Sequence, residues 1–192
     1  PEEAVSKCAI LTDFVGQIRA MLDRVATERG REKFILGVRM PPSLAECSGL
    51  GLDPDSWIKA GWIDYIAPSD FMWLDYGTCV EDFAALCKGT DCGVYPCLNP
   101  FAAEWTDHRA INGYATNPAN FNRRVFFSEE HIRGLMRNYY AWGADGIYSF
   151  NFCCETIDNP DWTSRTHDIV VESAAARDQK ISSYLFLPIW RS

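Results

Sequence analysis

Four short apolar runs set the main constraint on this chain: FILGVRMPP at 34–42, WIDYIAPSD at 62–70, GVYPCLNP at 93–100 and GIYSFNF at 146–152. Each has the length and bulk of a buried strand, and each turns polar or meets proline at its end. Helical signals lie between them. Asp53 is an N-cap with Pro54 at the first helical position. Thr78 and Glu81 form a capping-box pattern for a helix over 79–88. Ser128, with Glu129 and Glu130 in the first turn, opens a helix running to about Trp142. Upstream, Val5, Cys8, Leu11, Val15, Ile18, Leu22 and Val25 make one apolar stripe, stopped by Gly30. Strands that alternate with helices predict parallel βαβ units, because parallel neighbours must be joined by a crossover.

Two α/β architectures satisfy this order, an open doubly wound sheet and a β/α barrel. Neither a GxGxxG nor a GxxxxGK loop occurs, which removes support from a nucleotide-binding open sheet. A whole barrel takes about 250 residues and eight strands. With four strands in 192 residues, and a start inside a helix without Met, the expected fold is of the (β/α)8 TIM-barrel type. The chain would be a single domain, 1–192, covering roughly the last four β/α units, with 101–127 as a long active-face loop. Its open strand edges would need the missing barrel half or an oligomeric partner. An internal echo supports a repeated scaffold: KAGWIDYIAPSD and AWGADGIYSFNF both run helix end, Gly, one or two residues, Asp, strand, polar residue.

Charge and cysteines narrow the functional classes. A net charge of −8 argues against a nucleic-acid partner, since phosphate binding needs a basic surface. No apolar run reaches the length of a membrane span. The PEEA start carries no information on compartment. Eight cysteines permit disulfides without demanding them, and Cys87, Cys92 and Cys97, spaced by five, fit no zinc pattern. Most are expected to be buried thiols acting as small apolar residues. The three histidines show no ligand spacing, so neither a metal nor a cofactor is expected.

In parallel β/α folds ligands bind at the carboxyl ends of the strands. Side chains alternate along a strand. One face therefore reads Gly37 then Arg39, Ala67 then Ser69, Cys97 then Asn99, and Ser149 then Asn151. A single buried polar residue often ties down a loop. Four at equivalent heights predict a pocket lined by Arg39, Ser69, Asn99 and Asn151. Among carboxylates, Asp70 and Glu104 lie just past adjacent strand ends, and a glycosidase needs two carboxylates about 5 to 10 Å apart. They are the catalytic candidates. Asp64 and Asp145 sit at the opposite, stability end. The 101–127 segment, rich in aromatics and amides, suits sugar stacking and hydroxyl recognition, with Trp73 and Trp105 as stacking candidates. Carbohydrate is the ligand class that best matches such a lining.

The run FILGVRMPPSLAECSGLGLDPDSWIKAGWIDYIAPSDF, with RGLMRNYYAWGADGIYSFNF, resembles the C-terminal half of bacterial glycoside-hydrolase-like β/α-barrel proteins. The resemblance spans roughly residues 10–152. Its most specific pieces are GVR-x-P, the segment ending in PSD, and GADGIY-x-FN; Arg39, Asp70 and Asn151 fall on these motifs. It implies a barrel and a carbohydrate-related activity. Many barrel glycosidases carry glutamates at the ends of strands four and seven. Here the strand in the seventh position would end in Asn99, and the fourth would precede residue 1. The expected function is therefore a glycoside-hydrolase-like protein that acts on or binds a carbohydrate. The alternatives are a non-catalytic carbohydrate-binding barrel and a barrel aldolase or isomerase.

Overall fold

The computed structural model of the chain describes residues 2–70, 77–99, 101–103, 124–126 and 129–149. In chain order it contains α1 (Glu2–Ser6), α2 (Cys8–Glu28), β1 (Gly37–Met40), α3 (Leu44–Gly49), α4 (Pro54–Lys59) and β2 (Tyr65–Pro68). Then follow α5 (Val80–Cys87), β3 (Gly93–Val94), β4 (Cys97–Leu98), β5 (Phe101–Ala103), β6 (Arg124–Phe126), α6 (Glu129–Ala141) and β7 (Tyr148–Ser149).

The expected parallel pairing is present. β1 pairs with β2 in the register Gly37 to Tyr65 and Arg39 to Ala67, and β2 pairs with β3 at Tyr65 to Gly93. β4 then pairs in parallel with β7. The third expected strand is split at Tyr95–Pro96, where proline has no N–H to donate. The ladder nonetheless carries on through the break. The Tyr95 N–H donates to the Ile66 carbonyl at 2.9 Å, and the Tyr148 N–H donates to the Pro96 carbonyl at 3.1 Å. The four expected strands thus neighbour one another in chain order and run the same way.

Two aspartates fix this register at the base of the sheet. The Asp64 N–H donates to the Leu36 carbonyl at 2.7 Å, while its Oδ2 accepts from the Leu36 N–H at 2.8 Å. Asp145 does the same to the strand before it. Its N–H donates to the Val94 carbonyl at 2.9 Å, and its Oδ2 accepts from the Val94 N–H at 2.8 Å. Each aspartate therefore clasps both backbone groups of one residue in the preceding strand. Each is delivered by the same helix ending. The Gly61 and Trp62 amides bond back to Ile58 and Trp57, and those of Gly143 and Ala144 bond back to Tyr140 and Tyr139. This reversal needs a left-handed residue, and Gly61 and Gly143 have φ of 68° and 101°. The echo in the sequence is this clasp, made twice.

The helix-facing side of the sheet carries the core: Ile66, Val94 and Leu98 pack with Trp57, Val80, Phe83, Ile132, Leu135 and Tyr139. The other side is crowded by aromatic rings. A Cβ on Gly37 would lie 1.9 Å from the Tyr65 ring, and Tyr65 meets Tyr95 edge-on at 5.5 Å. Tyr95 in turn lies over Gly93 and Gly146. The long helix α2 is tied down by Arg19, buried at 5 %, whose Nη1 donates to the Phe34 carbonyl at 2.9 Å. Trp57 Nε1 donates to Thr12 Oγ1 at 3.2 Å. Leu11 of the expected α2 stripe is exposed, and so are Ile10, Phe14 and Met21, which lie outside that stripe.

Local details depart from the sequence reading. α3 was not expected after two prolines; Ser43 caps it by accepting from the Glu46 N–H at 3.2 Å. α5 starts with Cys79 at the N-cap position, where the sequence pattern had Thr78, and Cys79 makes no side-chain cap bond. The segment 101–127 begins and ends as an antiparallel ladder, Phe101 opposite Phe126 and Ala103 opposite Arg124. No helix among the described residues is long and apolar enough to cross a membrane.

Asp64 also makes stability depend on pH. Burial alone would raise its pKa. Hydrogen bonds from Lys33 and the Leu36 amide, and the charges of Lys33 and Arg19, outweigh that and bring it below the ordinary carboxylate value. A carboxylate depressed in the folded state adds stability that is fully present above the unfolded value, about 3.9, and is lost as pH falls through the folded one. Urea unfolding of Asp64→Asn should therefore show a smaller loss of stability below about pH 4 than the unsubstituted chain. At neutral pH, Asp145→Ala should cost about 1–3 kcal/mol by stranding the Val94 N–H. An Asp145→Ala chain of unchanged stability would contradict the clasp.

Candidate functional site

At the carboxyl ends of the strands, Arg39, Ser69, Asp70, Cys97 and Asn99 are the described residues that bear on the expected pocket. β1 delivers Arg39, which is exposed. Ser69 and Asp70 follow β2 directly. The Ser69 N–H donates to the Met40 carbonyl at 2.8 Å, which holds the turn beside β1. Cys97 lies in β4 and Asn99 just beyond it.

The turn at Asp70 is the meeting point. Its backbone carbonyl accepts from Arg39 Nη2 at 2.6 Å and from Ser69 Oγ at 2.7 Å. Two neighbouring strand ends are thereby joined through one peptide oxygen. Cys97 comes from the next strand, and the Ser69 and Arg39 side chains both act on its thiol. Burial pushes the Cys97 thiol up, and the Asp70 charge adds to this. The contacts with Ser69 and Arg39 pull the other way without overcoming burial. Cys97 is therefore a neutral thiol at physiological pH, not a nucleophilic thiolate.

Ser69 and Asn99 are buried, at 6 % and 1 % exposure, whereas Asp70 is half-buried and Arg39 open to solvent. Buried polar side chains beside an exposed guanidinium can orient a hydroxyl-rich or anionic ligand, since amide and hydroxyl groups both donate and accept. Arg39 and Ser69 meet at the Asp70 carbonyl, although Arg39 lies opposite Ala67 and so not at the height of Ser69 that the alternation suggested. Cys97 joins them as a polar partner, although the sequence reading gave it only the part of a small filler. The signal was its place on the Asn99 face, two residues earlier.

One register differs from expectation. Cys97 is opposite Tyr148 and Leu98 opposite Ser149, so Tyr148 shares the face of Cys97 while Ser149 shares that of Leu98. Asn151, Trp73, Glu104 and Trp105 lie outside the described residues. Among the described residues no group of three or more His, Cys, Asp or Glu side chains could hold a metal ion.

No family model matches the chain, and no match is found among curated proteins.

The thiols give a direct check on this geometry. Cys97 is 2 % exposed with a raised pKa, and Cys47 is fully buried with its pKa pushed up to about 11. In the folded chain both should resist iodoacetamide at about pH 8, where only a thiolate reacts, and both should label after unfolding in urea. The half-exposed Cys8 should label ahead of both. Equally fast labelling of Cys8 and Cys97, read by peptide mass spectrometry, would contradict the buried cluster.

Proposed function

We propose that this chain belongs to a glycoside-hydrolase-like β/α barrel and forms roughly its last four β/α units. We further propose that it acts on or binds a carbohydrate at the carboxyl ends of its strands. One observation carries the reading: Arg39 and Ser69, from neighbouring parallel strand ends, meet at the Asp70 carbonyl, with Cys97 near both and Asn99 beyond it. Ligands of parallel β/α folds bind at this end. The order of the strands supports the barrel part of the proposal, and so do the exposed Ile10, Phe14 and Met21 on α2, a surface that further chain or a partner would cover.

In this reading Arg39 and Asn99 hold sugar hydroxyls or a carboxylate, with Asn151 as a further contact and Trp73 and Trp105 as stacking platforms. Asp70 is the acid/base or nucleophile candidate and Glu104 its partner. The non-catalytic alternative has an observation in its favour. The strand end that would carry a glutamate in many barrel glycosidases carries Asn99, which is 1 % exposed.

A glycan screen followed by reducing-end assay on the best ligand separates the readings. Arg39→Ala, a change at an exposed side chain, should weaken binding roughly tenfold to a hundredfold, the loss of one charge-assisted hydrogen bond of ~1.5–3 kcal/mol. If the chain cleaves its ligand, Asp70→Asn should slow release by roughly a hundredfold to ten-thousandfold while binding persists. Binding without reducing-end release from the unsubstituted chain would select the binding barrel. Unchanged affinity in Arg39→Ala would reject the pocket.

A further inference from the structure

A second chemical feature lies at the other end of the sheet. α5 ends in Cys87, and Cys92 stands just before β3, so one tight turn joins them. Thr90 pins that turn from inside. Its hydroxyl donates to the Cys87 carbonyl at 2.8 Å and accepts from the Cys92 N–H at 3.2 Å. Its own N–H also donates to the Cys87 carbonyl, at 3.0 Å. Thr90 thus bridges the two backbones, and the Cys87 and Cys92 side chains lie close enough for each thiol to act on the other's proton. Both cysteines are free thiols, each 6 % exposed. Both also line a surface pocket of about 570 Å³ shared with Asp64, Thr90, Tyr95 and Asp145, which gives a small reagent a way in.

We propose that Cys87 and Cys92 are a redox-active dithiol that closes to a disulfide across the α5–β3 turn, with a small-molecule disulfide as oxidant. The Cys92 thiolate attacks one sulfur of the oxidant, and the first oxidant thiolate leaves and takes up the Cys92 proton. Cys87 then loses its proton and attacks the Cys92 sulfur of the mixed disulfide. The Cys87–Cys92 bond forms as the second oxidant thiolate leaves, protonated in its turn. Two protein thiols are oxidised and one disulfide is reduced to two thiols, so electrons and protons balance. The order of attack follows from the pairing. The neighbouring Cys87 favours the Cys92 thiolate and lowers its pKa against burial and the charges of Asp64 and Asp145, whereas Cys87 is pushed up. Thr90 is a positioning residue, and the Lys88–Asp91 turn is what the disulfide would lock.

The test uses the whole 192-residue chain, folded and reduced, treated with oxidised glutathione. Free thiols are then alkylated and the disulfides mapped by tryptic digestion with fragmentation. Lys88 lies between the two cysteines, so a bond between them must join two otherwise separate tryptic peptides. The expected result is one disulfide, Cys87 to Cys92, formed ahead of any other. Cys92→Ser should abolish it. Thr90→Val, which keeps both thiols, should slow its formation severalfold with the folded-state circular dichroism unchanged. A first disulfide joining Cys92 to Cys97, closure only after denaturation, or closure in Thr90→Val at the unsubstituted rate would overturn the proposal.

Discussion

The parallel sheet depends on a single repeated interaction, the aspartate that grips both backbone groups of one residue in the strand before it. A parallel ladder has no hairpin to set its register; its neighbours arrive through long crossovers. A one-residue slip would turn every side chain to the wrong face. Asp64 and Asp145 prevent that slip at the amino-terminal ends of their strands, where Leu36 and Val94 are held through N–H and carbonyl together. The glycine-ended helices α4 and α6 deliver these aspartates, which ties helix termination to strand register in one short turn. Arg39 comes opposite Ala67, within reach of the Asp70 carbonyl at the far end, because the base is fixed in this way.

The two ends of the sheet consequently have different chemistry. At the base, charge is used for structure: Asp64 draws in Lys33, Arg19 and the Leu36 amide, and Asp145 holds Val94. At the top, the exposed Arg39 donates to a neutral peptide oxygen, that of Asp70. Between them the rings of Tyr65 and Tyr95 fill the face above Gly37, Gly93 and Gly146. Glycine at these positions is required by contact, since a Cβ on Gly37 would overlap the Tyr65 ring.

Much of the scaffold was legible because it rests on local rules. Asp53 and Pro54 announced α4, and Asp53 does cap it, accepting from the Ser56 N–H at 3.1 Å. Alternation placed Arg39, Ser69, Cys97 and Asn99 on one face without any tertiary information. The misses have physical reasons. Ser43 and Glu46 form a capping pair that the prolines before them obscured, so α3 went unread. Pro96 split a strand whose pattern ran on unbroken. Tyr148, not Ser149, faces with Cys97 because pairing register is set by partners across the sheet, which alternation within one strand does not reveal. The pairing of Cys87 with Cys92 across one turn was invisible in a spacing of five, because it depends on Thr90 bridging the two backbones.

The most direct test of the account is a map of where a sugar lands on the folded chain. Backbone amide resonances, followed by NMR during titration with the best oligosaccharide from a glycan screen, report this residue by residue. The account predicts shifts concentrated at Arg39, Ser69, Asp70 and Asn99, with Asp64, Cys92 and Asp145 at the base left unmoved. Shifts centred on the base of the sheet, or none at the strand ends with ligand in excess, would contradict it.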